Sequence, residues 1–235
     1  MYPKGDIYKS GKSPLKGEFQ LTPKFLIRLF YHLLRGVGTG FVGFAVIGLI
    51  FSYYPVIKEE ISYRTRKPVK IGFGDLINKT SASDFGLDSY FSLFVPKINA
   101  KANIISNVSA GDFSEYTKAL EKGVAHAAGT NFPGQGKLVY LFSHSTDTPI
   151  NFARYNAIFF LLRKLDKGDR IVIFFMGKEY KYMVEEKLVV EASDNSWLDP
   201  TSPRLRGVGE VLVLQTCDPP GTSLRRLIVV AKPIE

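Results

Sequence analysis

Cysteine is all but missing: Cys217 is the only one in 235 residues. An internal disulfide is therefore excluded, and so is a zinc framework of paired CxxC motifs. A chain of this length can bury a core large enough to be stable without cross-links. Histidine is nearly as scarce, with His32, His126 and His144 the only three. No internal repeat is present, which excludes a solenoid. A charge excess is also missing where a folded domain would carry it. From residue 71 onward 19 basic and 18 acidic side chains nearly cancel, although the whole chain carries +9. A nucleic-acid binder keeps its cations on the folded surface that meets phosphate, so no nucleic acid is expected as a partner.

The cations flank a segment that has no charge at all. Residues 1–35 hold seven basic and two acidic side chains, for +5, and Arg64, Arg66, Lys67 and Lys70 follow later. Between them Gly36 to Tyr54, GVGTGFVGFAVIGLIFSYY, is 19 residues without a charged side chain. At ~1.5 Å per residue a helix of that length nearly spans a hydrocarbon core of ~30 Å. Its five glycines weaken a soluble helix but are tolerated in lipid, and Tyr53 and Tyr54 suit the headgroup boundary before Pro55 ends the run. The run is long for a signal-peptide core and no A-x-A-like cleavage site follows it, so an uncleaved anchor is expected. Gly36 and Gly40 form a GxxxG, a spacing found where membrane helices pair. The positive-inside bias puts the N-terminus in the cytoplasm and residues from about 56 outside, at the cell membrane. Just upstream, FLIRLFYHLLR places Arg28, His32 and Arg35 on one helical face, as in a segment resting on anionic membrane lipid.

Four regions follow: a cytoplasmic basic tail and amphipathic segment at 1–35, a transmembrane anchor at 36–55, a stalk at 56–74, and a folded domain at 75–235. The outer domain is mainly β. Strands are expected at Tyr90–Val95, Ala102–Val108, Lys137–Phe142, Arg170–Met176, Glu179–Val190, Val211–Thr216 and Arg226–Ala231, divided by Gly, Pro, Asn and Asp clusters. Helical spacing is confined to Asp112–Gly123 and Ala153–Leu165. Many short strands with few helices argue for a closed barrel or a sandwich.

The lone thiol sits in VLVLQTCDPPGTSLRRLIVVAK, Val211 to Lys232. Two buried strands surround a Pro-Pro-Gly turn that can neither continue a ladder nor form a helix, so the simplest geometry is an antiparallel hairpin. Thr216 and Cys217 then lie beside Arg225 and Arg226. Consecutive side chains point to opposite faces, so one of the two arginines shares a face with the thiol. A permanent cation there favours a thiolate and can hold an oxyanion formed when the thiolate attacks a carbonyl. A leaving amine needs a proton donor, commonly a histidine. His144 ends the strand KLVYLF, and His126 follows a helix in GVAHAAG. Two readings of Cys217 stand at this point, a nucleophile and an inert buried thiol.

The order of these residues decides between them by resemblance. LVLQTC (Leu212–Cys217), a loop, and an arginine opening RLIVVA resemble the C-terminal hairpin of a sortase, the membrane-anchored cysteine transpeptidase of bacterial envelopes. GKLVYLFSHS after LEKGVAHAAG is similar to the segment that carries the catalytic histidine of that family. The resemblance runs from about Tyr90 to Lys232. It departs where many relatives have Gly before the histidine and Arg soon after, and this chain has Ser143 and Ser145. The caspase pattern Q-A-C-x-G is met only by QTCDP, and papain-like enzymes place Cys before His.

The resemblance implies a sortase-like closed eight-stranded β-barrel with short helices behind a transmembrane helix. It implies catalytic roles for Cys217, His144 and Arg226, leaves His126 structural, and points to Thr216 and Trp197 as substrate-binding candidates. The alternative for Thr216 is a β-former in its strand, and for Trp197 a local staple. The implied reaction cleaves an extended LPxTG-like sorting signal through a thioacyl-enzyme. It then passes the protein to an amine acceptor, a cell-wall precursor or a pilin lysine. No cofactor and no metal is expected, since no carboxylate cluster identifies the calcium site that some sortases have. The contrasting reading is a membrane-tethered barrel that binds envelope components without turnover.

Overall fold

A computed structural model describes residues 23–65, 81–145, 158–199, 201–205, 207 and 209–234. The basic tail to residue 22 and the stalk from 66 to 74 lie outside the described residues. The chain divides into two units, Met1–Leu49 and Ile50–Glu235. Helix α1, Pro23–Thr65, is 43 residues long. Its stretch Pro23–Tyr54 is long and apolar enough to cross a membrane, and the apolar window is 0 % buried by protein. Phe41, Phe44 and Phe51 are 71, 77 and 76 % exposed.

The helix does not stop at Pro55, where the apolar run ends, but continues to Thr65. Packing in the second unit supports the added turns. Glu60 accepts from Lys164 Nζ at 2.9 Å and from Arg64 Nε at 3.2 Å. The Lys164 bond leads in holding the Glu60 carboxyl below the usual carboxylate range. Lys164 also lies 5.4 Å from the Tyr63 ring centre, and Tyr63 packs against the barrel core.

Eight strands close a barrel: β1 Phe91–Val95, β2 Ala100–Val108, β3 Val124–Ala127, β4 Leu138–Phe142, β5 Arg170–Phe175, β6 Lys178–Glu191, β7 Val211–Asp218 and β8 Arg225–Pro233. Their order around it is β1-β2-β3-β4-β7-β8-β6-β5, with β5 returning to β1. The pairs β2–β3 and β4–β7 are parallel and the others antiparallel. Seven of the strands lie where alternation and apolar runs place them. β3 falls in GVAHAAG, where no strand is expected; it is four residues, VAHA, with two poor β-formers, and its pairing comes from its neighbours.

Helix α2, Phe113–Lys122, is capped by Asp112, whose side chain accepts from the Glu115 amide at 3.1 Å. It ends at Gly123, where a Cβ would stand 2.2 Å from the Asn103 carbonyl oxygen. Only glycine lets β3 begin so close to β2. The helix expected at Ala153–Leu165 is not found in its described part. There the chain makes turns and a single 3-10 turn at Leu162–Lys164. Phe159, Phe160, Leu161 and Leu162 are all buried, so four consecutive side chains are enclosed and no helical polar face is left.

Strand alternation divides the apolar side chains into two layers. Leu212, Leu214, Leu227, Val229, Val139 and Leu141 fill the barrel interior. Val211, Val213, Ile228, Val230, Tyr140 and Phe142 face outward and form a second cluster with Ala119 and Leu120 of α2 and Trp197 and Leu205 of the β6–β7 connection. This outer layer is where the sheet is roofed over, and its open end is the groove described next.

Candidate active site

The closing hairpin sets the first pair. Cys217 and Arg226 are Cα partners across β7 and β8, and Asp218 and Arg225 are the next pair along. Arg226 Nη1 lies 3.7 Å from Cys217 Sγ and also donates to the carbonyls of Ser223 at 3.1 Å and Arg225 at 3.2 Å. Those two carbonyls fix the guanidinium over the thiol. Arg225 Nη2 instead meets Asp218 Oδ2 at 3.2 Å, on the other face of the ladder.

The third residue is delivered by β4, which runs parallel to β7 in the register Phe142↔Gln215. One residue beyond, the Ser143 amide donates to the Gln215 carbonyl at 3.2 Å, and buried Thr216 Oγ1 donates to the Ser143 carbonyl at 2.9 Å. The His144 carbonyl accepts from the Phe159 amide at 3.3 Å. Bonds on both sides thus pin the backbone of half-buried His144. Tyr140, Phe142, His144, Gln215, Cys217 and Arg226 line one groove of about 810 Å³, with Tyr116 and Asp194 on its walls.

The other outer histidine has a different setting. His126 is 0 % exposed and its ring stacks on Phe132 with centres 4.6 Å apart. Its Nδ1 accepts from the Asn107 amide at 3.3 Å and its Nε2 meets the Asn131 carbonyl at 3.0 Å. Burial pushes its pKa down.

Trp197 is not brought to the groove. It is 6 % exposed and packs in the outer cluster, with the Arg204 guanidinium 5.3 Å from the ring centre. Its neighbours Asp194, Leu198 and Asp199 supply the wall instead. The turn-rich stretch carries its one large ring toward the apolar layer because that layer needs a roof. Bonds from the Ser196 hydroxyl and amide hold the Asp194 carboxyl below its ordinary value. Among the described residues no three His, Cys, Asp or Glu side chains gather to hold a metal ion.

Two groove residues have no signal in the sequence. Tyr140 donates to Gln215 Oε1 on the groove floor. Burial pushes the Tyr140 hydroxyl pKa up, against the pull of the Arg226 charge. The partnership depends on the parallel β4–β7 register, which neither strand reveals alone.

A closed barrel with a thiol, a guanidinium and an imidazole along one outer groove defines the class of β-barrel cysteine enzymes. The sortase domain model matches residues 93–234, more than half of the chain, and the chain belongs to the sortase family. It is therefore a cysteine transpeptidase acting on sorting signals and amine acceptors, not a binding module without turnover. Sortase D of Bacillus subtilis (strain 168) is 27 % identical over 217 residues, covering 89 % of this chain and 98 % of that protein. Sortase E1 from Streptomyces coelicolor, solved with a tripeptide in its active site, is 28 % identical with a TM-score of 0.51, over 62 % of this chain and 88 % of that one. Sortase C1 of GBS pilus island 1 shares the fold at 21 % identity and a TM-score of 0.50, over 80 % of this chain and 81 % of that one.

Proposed function

We propose that Cys217, His144 and Arg226 carry the transpeptidation, with an LPxTG-like peptide extended along the groove. Cys217 Sγ, as thiolate, adds to the carbonyl carbon of the residue before the scissile bond. Arg226 holds the resulting oxyanion, a charge that a fixed guanidinium stabilises most when water is excluded. The C–N bond breaks and His144 delivers a proton to the departing amine. An acceptor amine then attacks the thioester, loses a proton to His144, and leaves a new amide with the thiolate restored. The acceptor is a cell-wall precursor or a pilin lysine.

Thr216 acts through position: its bond to the Ser143 carbonyl ties the thiol strand to the histidine strand. The orientation proposed for the anchor has the N-terminus cytoplasmic, the Arg28, His32 and Arg35 face on anionic lipid, and the barrel outside.

The observation that carries the reading is the 3.7 Å approach of Arg226 to the sulfur in a groove that His144 also lines. Incubating the barrel with a library of five-residue peptides and a primary amine tests it. Mass spectrometry is expected to find a peptide–amine product and an acyl adduct on Cys217. Turnover that persists in Cys217→Ala rules the reading out.

A further inference from the structure

We infer that Gln215 is a substrate-binding residue that donates from Nε2 to a backbone carbonyl of the sorting peptide, and that Tyr140 is the positioning residue that aims it. This rests on the catalytic reading above and adds to it a contact made away from the reacting atoms.

The assignment starts from a hydroxyl that has one place to put its proton. Tyr140 is 3 % exposed, and burial keeps it protonated. A buried hydroxyl that donates to nothing is costly, so the Gln215 atom facing it is the oxygen. With Oε1 taken, the remaining polar group of the carboxamide is the Nε2 amide, a donor of two hydrogens. Among the described residues Nε2 has no hydrogen-bond partner, and Gln215 is half-buried on the groove lining.

Parity supplies the distance. Gln215 and Cys217 project from the same face of β7, two residues apart, which is ~6.6 Å along a strand. A peptide extended beside β7 repeats at the same interval. When its scissile carbonyl is at Sγ, the carbonyl two residues away comes level with Gln215. The donor is neutral, and the groove floor next to it, Tyr140 and Phe142, is aromatic. An uncharged amide reading a main-chain carbonyl fits any side chain at that peptide position, so it sets alignment without sequence preference. Outward-facing apolar residues occupy the equivalent alternate positions Val211 and Val213, so a polar side chain at 215 interrupts the pattern where the strand lines the groove.

The test compares Gln215→Met, Tyr140→Phe and the double variant, using the pentapeptide selected from the library and a primary amine. Loss of one neutral hydrogen bond predicts a roughly three- to tenfold rise in peptide KM for Gln215→Met, with kcat nearly unchanged. Tyr140→Phe is expected to raise KM less, and the double variant no further than Gln215→Met alone. The alkylation rate of Cys217 and the melting temperature are followed in each variant, so that a collapsed groove is recognised. A peptide whose carbonyl is reduced to methylene, moved one position at a time, should lose sensitivity to Gln215→Met at one position only. Additive KM effects, a fall in kcat alone, or no change in KM would each overturn the inference. The catalytic reading survives all three results, because it fails only if Cys217→Ala still turns over.

Discussion

His126 lies within β3 and His144 just past the end of its antiparallel neighbour β4, yet they meet opposite environments. His126 shares its facing with Leu141, its neighbour Cα partner, and turns to the barrel interior among Phe91 and Phe132. His144 lies two residues past outward-facing Phe142 and lines the groove. The same contrast recurs between Arg225 and Arg226, where one residue of offset separates a pair with Asp218 from a contact with the thiol. Residue type therefore decides little here. The face of the sheet decides whether an imidazole or a guanidinium is a fastening in the fold or is presented to the groove.

The contrast can be broken at the reagent end first. Cys217→Ala is expected to lower transpeptidation by at least ~10⁴-fold with the melting temperature unchanged, since the proposed nucleophile and not the barrel is lost. His144→Ala should cost about 10²–10⁴-fold in kcat, whereas His126→Ala should chiefly lower stability, by about 1–3 kcal/mol in denaturant titration. The reverse outcome would exchange the roles of the two rings. Arg226→Ala should cost about 10²–10³-fold, and Arg225→Ala little, because its exposed pair with Asp218 is worth ~1 kcal/mol at most. Equal losses would defeat the facing argument.

Smaller effects sharpen it. Thr216→Val removes the bond to the Ser143 carbonyl and should destabilise by about 1 kcal/mol. The smallest effect concerns pH. Because burial lowers the His126 pKa, the unfolded chain binds a proton more readily than the folded one. The stability this contributes is present above the ordinary histidine value of about 6.5 and is lost as pH falls from there through the lower folded value. Melting temperatures taken at falling pH should show this decline, and His126→Gln should flatten it.

Much of this was legible in the sequence. Apolar runs marked seven strands, and the Pro-Pro-Gly interruption implied the hairpin whose register is Cys217↔Arg226. The period of two foretold that the arginines would part. β3 escaped because VAHA is too short and too alanine-rich to announce a strand, and its partners β2 and β4 are what hold it extended. Trp197 is a groove candidate by resemblance, because its segment lies where relatives have a loop lining the groove; the ring instead joins the outer apolar cluster that includes Val230 and Leu205. Gln215 and Tyr140 were invisible for a related reason. Their meeting is a product of strand pairing over 75 positions.

The last turns of α1 have a practical bearing on where the soluble enzyme begins. Composition draws that boundary near residue 75, after the charged stretch. Yet Tyr63 covers part of the core, and Glu60 neutralises Lys164 beside the Leu162–Lys164 turn. A fragment cut at 75 strips an aromatic lid from the barrel wall and strands an ammonium group against the ring site it vacates. One that starts before Ile57 keeps both, and the difference in yield and melting point between the two fragments measures how far the catalytic body extends into what reads as its tether.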